Sequence, residues 1–210
     1  MRAVTTLSLL VVLSAGRVPR LAAQQTHAWF VALRAVPMAF GTAAQAENPE
    51  VGELGKLGPA PGLRGTLAVG RQFGRWEGAI TGGYGTHGLR GSAEDRAVTL
   101  EPGYTLVTVT ATVAYALVTT GSGTRVALYA GPTVLFWSGE AVPDSRSRVG
   151  GTGGIGVVAP IAGRLSLDAH AALGLSPSPI EAEELADLDS SYDTGNLWSR
   201  ELGVGLRLSF

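Results

Sequence analysis

The sequence predicts an all-β protein: a closed antiparallel up-and-down transmembrane β-barrel of about eight strands. Three observations carry that expectation. Apolar residues recur at every second position in stretch after stretch, which places them on one face of extended strands. Positive mean hydropathy is combined with 30 glycines in 210 residues, an apolar chain rich in a residue that weakens helices and water-soluble strands alike. The connections between these stretches are short and long by turns, and no helical period competes with them.

The length suits one domain with a real core. A net charge of -1 with 16% charged residues leaves no basic surface for nucleic acid, and no nucleic-acid partner is expected. There is no cysteine, which excludes a disulfide framework, a thiolate metal site and a lipid-modified cysteine anchor. Arg2 followed by the apolar run Val4 to Ala15 has the form of an export signal. Leu21-Ala22-Ala23 before Gln24 is the best cleavage site, so residues 1–23 are assigned to the signal and 24–210 to the barrel domain.

The strands are justified in order by their two faces. His27 to Met38 sets Trp29, Val31, Leu33 and Ala35 against Ala28, Ala32 and Arg34. Gly62 to Phe73 sets Leu63, Leu67, Val69 and Phe73 against Arg64, Thr66, Ala68, Gly70 and Gln72. Arg75 to Gly85 gives Trp76, Ile80 and Tyr84 against Arg75, Glu77, Thr81 and Gly83. Tyr104 to Val118 opposes Val107, Val109, Ala111, Val113, Tyr115 and Leu117 to Thr108, Thr110, Thr112 and Ala114. Arg125 to Trp137 opposes Val126, Leu128, Ala130, Val134 and Phe136 to Arg125, Ala127, Tyr129, Gly131 and Thr133.

Arg148 to Ile161 is glycine-rich, with Val149, Ile155 and Val157 sharing a face. Arg164 to Ser176 alternates most cleanly, Leu165, Leu167, Ala169, Ala171, Leu173 and Leu175 against Ser166, Asp168, His170, Ala172, Gly174 and Ser176. The last stretch, Leu197 to Phe210, places Trp198, Arg200, Leu202, Val204, Leu206, Leu208 and Phe210, apolar in all but one place, opposite Ser199, Glu201, Gly203, Gly205, Arg207 and Ser209. Each stretch is near or above the ~9–11 residues that a tilted membrane strand needs. Short turns are expected near Gly74, at Thr119 to Thr124 and at Ala162-Gly163. Long polar connections are expected at about Gly41 to Pro61, His87 to Leu100, Ser138 to Ser147 and Pro177 to Asn196.

A soluble closed barrel holding an apolar ligand would alternate too. Two features favour the membrane. The non-apolar face is crowded with Gly, Ala, Ser and Thr, which suits the narrow lumen of eight strands. The apolar face carries Trp29, Trp76, Tyr84, Phe136, Trp198 and Phe210 near strand ends, as interfacial girdles would.

The final strand resembles that of the small outer-membrane β-barrel proteins of Gram-negative-type bacteria, a family that includes the barrel domains of outer membrane proteins A and X. Their last strand ends in Phe, here Phe210, and carries a glycine five residues earlier, here Gly205. The polar residue which that pattern places two before the glycine is replaced by Gly203. The resemblance implies that Gly205, Leu208 and Phe210 form the signal read by the barrel-assembly machinery. It also implies outer-membrane lipid and lipopolysaccharide as surroundings. With the chain ending at Phe210, no appended peptidoglycan-binding domain is expected.

Function is expected to be non-enzymatic, structural or surface-interactive through the outer loops. The alternatives are a small pore and a lipid-modifying enzyme. Gly151-Thr152-Gly153-Gly154-Ile155-Gly156 has dinucleotide-binding spacing, but no helix pattern follows, so a glycine-rich strand is expected. Asp168 and His170 share a face, as an acid–base pair could. Yet His170 is followed by Ala172 rather than the Ser of the His-x-Ser pair in lipid A deacylases. Glu181, Glu183, Glu184, Asp187, Asp189 and Asp193 lack the order of a calcium loop. No catalytic residue, cofactor or metal is therefore assigned.

The candidate site is a charge network that closes the lumen: Arg34, Arg64, Glu77, Arg125, Asp168, His170, Glu201 and Arg207, with Arg75 on the same expected face. Expected strand heights pair Glu201 with Arg34, and Asp168 with Arg207.

Overall fold

The computed structural model describes residues 27–46, 55–93, 96–139, 142–181, 185 and 192–210. The expected signal, residues 1–23, lies outside them. Eleven strands form one antiparallel sheet among the described residues. They are β1 (His27–Phe40), β2 (Ala44–Ala46), β3 (Lys56–Pro59), β4 (Gly62–Phe73), β5 (Trp76–Ala93) and β6 (Arg96–Thr119), followed by β7 (Arg125–Gly139), β8 (Val142–Ala162), β9 (Leu165–Pro177), β10 (Tyr192–Thr194) and β11 (Asn196–Ser209).

Eight of these make a ring. From β1 it runs through β4, β5, β6, β7, β8, β9 and β11, and β11 pairs back onto β1 from Phe30↔Ser209 to Phe40↔Ser199. Closure removes the unpaired edges that hydrocarbon cannot solvate. The last residue takes part: Phe210 N–H donates to the Trp29 carbonyl at 2.9 Å, and Trp29 N–H donates to the Phe210 carbonyl at 3.0 Å.

The period of two sorts the faces. Leu33 is 66% exposed while Ala32 beside it is fully covered, and the same contrast recurs around the ring. Leu67, Ile80, Val109, Leu128, Val149, Leu173 and Leu206 all point outward. An apolar belt of this extent far exceeds the few hundred Å² that water-soluble monomers tolerate, and it fits a lipid surround. The soluble-barrel alternative required the opposite arrangement.

Aromatic rings flank the belt. At the turn end Trp29, Phe73, Trp76 and Phe210 are exposed, with the Arg71 guanidinium 5.5 Å from the Trp29 ring and 4.9 Å from Phe73. At the other end Tyr84 and Phe136 flank Val107 in one row, and Trp198 is exposed near the start of β11 on the opposite side of the ring. Such rings prefer the headgroup level.

The turn end is tight, with turns at Gly74-Arg75, between β6 and β7, and at Gly163-Arg164. The loop end differs from the four expected loops. Strands β5 and β6 continue to Ala93 and from Arg96, and β7 and β8 continue to Gly139 and from Val142. The Gly41 to Pro61 connection contains β2 and β3, and the Pro177 to Asn196 connection contains β10. Strand β3 pairs with Leu89 to Ser92 of β5, β2 pairs with β3, and β10 pairs with β2. Together they form a small sheet over the loop end. Alternation does not mark β2, β3 and β10 because each spans only three or four residues, too few to display a period of two. Irregularities at His87/Leu89 and Trp137/Gly139 also interrupt the period there.

Candidate functional site in the barrel lumen

Charged side chains lie in the lumen in three levels. Nearest the turn end, Arg125 and Arg207 each donate from Nη1 to Glu77 Oε2 at 2.9 Å. Arg125 also donates from Nη2 to the Arg75 carbonyl at 2.9 Å, and the Arg207 guanidinium lies 3.5 Å from the Phe30 ring centre. In the middle, Arg34 grips Asp168 through both carboxylate oxygens, at 2.9 and 2.8 Å. Towards the loop end, Arg64 donates to Glu201 at 2.6 Å and to the Thr108 hydroxyl at 3.2 Å. Charge-assisted, partly bidentate bonds of this kind are the strong class of protein hydrogen bond.

These pairings differ from the expected ones. Arg34 meets Asp168 rather than Glu201, and Arg207 meets Glu77 rather than Asp168. The reason is reach across the lumen. Arg34, Gly205 and Asp168 lie in one row on β1, β11 and β9, and Gly205 presents no side chain between the other two. A Cβ there would collide with the Leu33 carbonyl oxygen and press on the Arg34 side chain.

Arg75 is not in the lumen. It sits in the exposed turn, where its guanidinium donates to the Tyr115 hydroxyl at 3.3 Å. His170 lies across from Gly203 in register, its ring filling the space that a Cβ at Gly203 would need. The same ring meets Tyr129 edge-on, with centres 6.1 Å apart. Hydroxyls complete the lining: Thr110 and Thr133 share a 2.8 Å hydrogen bond. The space left among these groups is about 120 Å³.

No family model and no curated protein matches the chain. Solved structures do. Neisserial surface protein A aligns over 87% of this chain and 97% of its own, at 16% identity and a TM-score of 0.57. Ail, the attachment invasion locus protein of Yersinia pestis, in complex with the heparin analogue sucrose octasulfate, covers the same shares at 12% identity and a TM-score of 0.39. The fold is that of the small eight-stranded outer-membrane β-barrels.

Within this barrel fold, the glycine at 203 on the last strand has a local purpose: it admits the His170 ring. The Gly151 to Gly156 run lies inside β8, with no helix to carry a phosphate. Asp168 is held at both oxygens by Arg34, so it is not poised as the partner of His170 in proton transfer. Of the acidic segment, Glu181, Leu185, Tyr192 and Asp193 fall among the described residues, whereas Glu183, Glu184, Asp187 and Asp189 lie outside them.

What sequence reasoning missed is the loop-end half of the lumen. It is apolar. Val36, Met38, Tyr104, Leu106, Leu135, Trp137 and Leu197 are buried there with Ala44 and Leu57 from the overlying sheet and Ala43 just before it. Phe40 packs edge-on against His87 at 4.9 Å and against Trp137 at 5.8 Å, and Tyr104 meets Trp137 at 5.7 Å. Ile180 enters the same cluster from the chain after β9.

Two arginines of β8 hold that chain in place. Arg148 donates to the Ser178 carbonyl at 2.8 Å and to Glu181 at 2.6 Å, and Arg146 donates to the Pro179 carbonyl at 3.0 Å. The Arg148 hydrogen bond, with the Arg146 charge added, holds the Glu181 carboxyl below the ordinary carboxylate range. One signal for this closure was available. Leu135 and Trp137 continue the inward parity of Tyr129 and Thr133, although they are apolar.

Proposed function

We propose that this chain is an integral, non-enzymatic protein of the bacterial outer membrane. It fills its own lumen and acts structurally or by surface interaction through its loop end. The observation that carries this reading is the double filling of the lumen, by paired charges in the turn-end half and by the Trp137 cluster in the loop-end half. Eight strands enclose a space that side chains can fill, and here they do so with residues buried nearly completely. A conducting pore would need a water-lined path through both halves.

In this reading the apolar belt contacts outer-membrane lipid and lipopolysaccharide, and the loop end faces outward, as longer connections do in such barrels. The export signal delivers the chain, and the barrel-assembly machinery inserts it by way of Gly205, Leu208 and Phe210. The small sheet of β10, β2, β3 and the outer part of β5 then provides the surface for any partner. The test is threefold: membrane fractionation, planar-bilayer recording and mass spectrometry of lipid A. The protein is expected in the outer membrane, without steady ion conductance and without change to lipid A when overproduced. Steady conductance would establish the small pore instead, and altered acyl chains the lipid-modifying enzyme.

A further inference from the structure

The turn-end level of the lumen is unbalanced in charge. Two of the three levels hold one guanidinium per carboxylate, Arg34 with Asp168 and Arg64 with Glu201. The third holds two guanidiniums, Arg125 and Arg207, on the single carboxylate oxygen Glu77 Oε2. Four arginines therefore face three acids in this part of the lumen, one positive charge in excess before any proton on His170 is counted.

That excess is not exposed to solvent for screening. The Arg125 and Arg207 side chains are 7% and 4% exposed, and Glu77 is 14% exposed. Arg125 Nε is buried and makes no hydrogen bond to protein. All three side chains line the remaining space in the lumen. Water could accept from Arg125 Nε, but it cannot neutralise the charge, and an uncompensated charge in a low-dielectric setting is strongly unfavourable.

We propose that a small monovalent anion of halide size is held in the lumen beside Arg125 and Arg207, completing the charge balance that Glu77 leaves open. Size is limited by the surroundings. Phe30 covers one face of Arg207, and the roughly 120 Å³ of open space is shared along the charged chamber. A compact anion suits that shared space. The bound ion would join Glu77 in holding β5, β7 and β11 together across the lumen, far from the loop-end surface where partners are proposed to bind.

The test uses the full barrel refolded in detergent. Protein refolded and crystallised in sodium bromide is expected to show an anomalous-scattering peak beside Arg125 and Arg207, in the open space that they line. At constant ionic strength, replacing gluconate by chloride is expected to raise the unfolding midpoint by roughly 3–5 °C for each tenfold rise above the dissociation constant. Arg125→Gln restores a one-to-one balance and is expected to abolish that dependence. Glu77→Gln enlarges the excess and is expected to shift the dependence to lower chloride. Equal midpoints in chloride and gluconate for the unmutated protein would overturn the proposal, and a bromide peak alongside equal midpoints would mark an adventitious ion only. A halide dependence that Arg125→Gln leaves unchanged would place the effect elsewhere and overturn it as well.

Discussion

Arg34 and Asp168 form a two-bond ion pair across β11, the strand that separates them, and Gly205 is the residue over which they meet. Asp168 is 3% exposed, so the pair is desolvated and either partner alone would be an uncompensated charge. Arg34→Ala and Asp168→Ala are each expected to cost about 3–5 kcal/mol in a folding titration in detergent or lipid. The double variant should lose much less than their sum, while Arg34→Ala with Glu201→Ala should be close to additive. Strong coupling of Arg34 to Glu201 instead would refute the observed pairing.

Gly205 makes that pair feasible, and its substitution should show it. Gly205→Leu is expected to cost at least the roughly 1–3 kcal/mol of an overpacked interior, because the obstacle is the Leu33 backbone as well as Arg34. The heat-modifiable gel shift of folded against boiled barrel reads this directly. A neutral outcome would mean that β1 and β11 can separate at this row.

The lipid face is tested at the same row from the other side. Leu206 pairs with Leu33, and both point away from the lumen. Leu206→Arg is expected to cost about 2–4 kcal/mol at mid-depth in folding into lipid vesicles. The native Arg200 is exposed on the same face six residues nearer the loop end, so a smaller cost is expected for a charge at that level. A Leu206→Arg variant as stable as the parent would argue against a lipid surround.

The apolar closure should rest on Trp137. Its indole is fully buried between Phe40 and Tyr104, and Trp137→Ala is expected to cost about 3–5 kcal/mol. Differential scanning fluorimetry of the detergent-folded barrel can measure the change. A loss below ~1 kcal/mol would mean that the loop-end cluster collapses around the deletion.

The chain that follows β9 should loosen in acid. Glu181 has its carboxyl depressed by Arg148 and Arg146, so its contribution to holding residues 178–181 is present above the ordinary Glu range near 4.5. That contribution is lost as pH falls through the lower folded value. Hydrogen exchange of the Ser178, Ile180 and Glu181 amides, corrected for intrinsic rates, is expected to rise below that pH. In Glu181→Gln the rise should already be present at neutral pH. Unchanged protection in that variant would leave the two backbone-carbonyl bonds as the whole of the latch.

For export, Phe210→Asp is expected to reduce the amount of inserted barrel in cells. Phe210 is tied to Trp29 by two backbone hydrogen bonds that the substitution leaves intact, while its exposed ring is removed. Normal outer-membrane levels of this variant would count against the ring as an assembly signal.

The sequence by itself determined the ring of strands, the two faces and the turn-end connections, because a period of two is local. Leu33 next to Ala32, or Leu206 next to Arg207, carries its assignment in its immediate neighbours. It also named the lumen charges Arg34, Arg64, Glu77, Arg125, Asp168, Glu201 and Arg207, since each sits in phase with small residues. Only the tertiary structure decided which of them meet. Pairing depends on the stagger between strands far apart in sequence and on gaps such as Gly205, and neither leaves a local trace. The loop-end sheet and the Trp137 cluster were likewise decided in three dimensions. Tyr104, Leu106, Leu135 and Trp137 keep the inward parity of their strands although they are apolar, and they pack against chain segments that alternation does not mark.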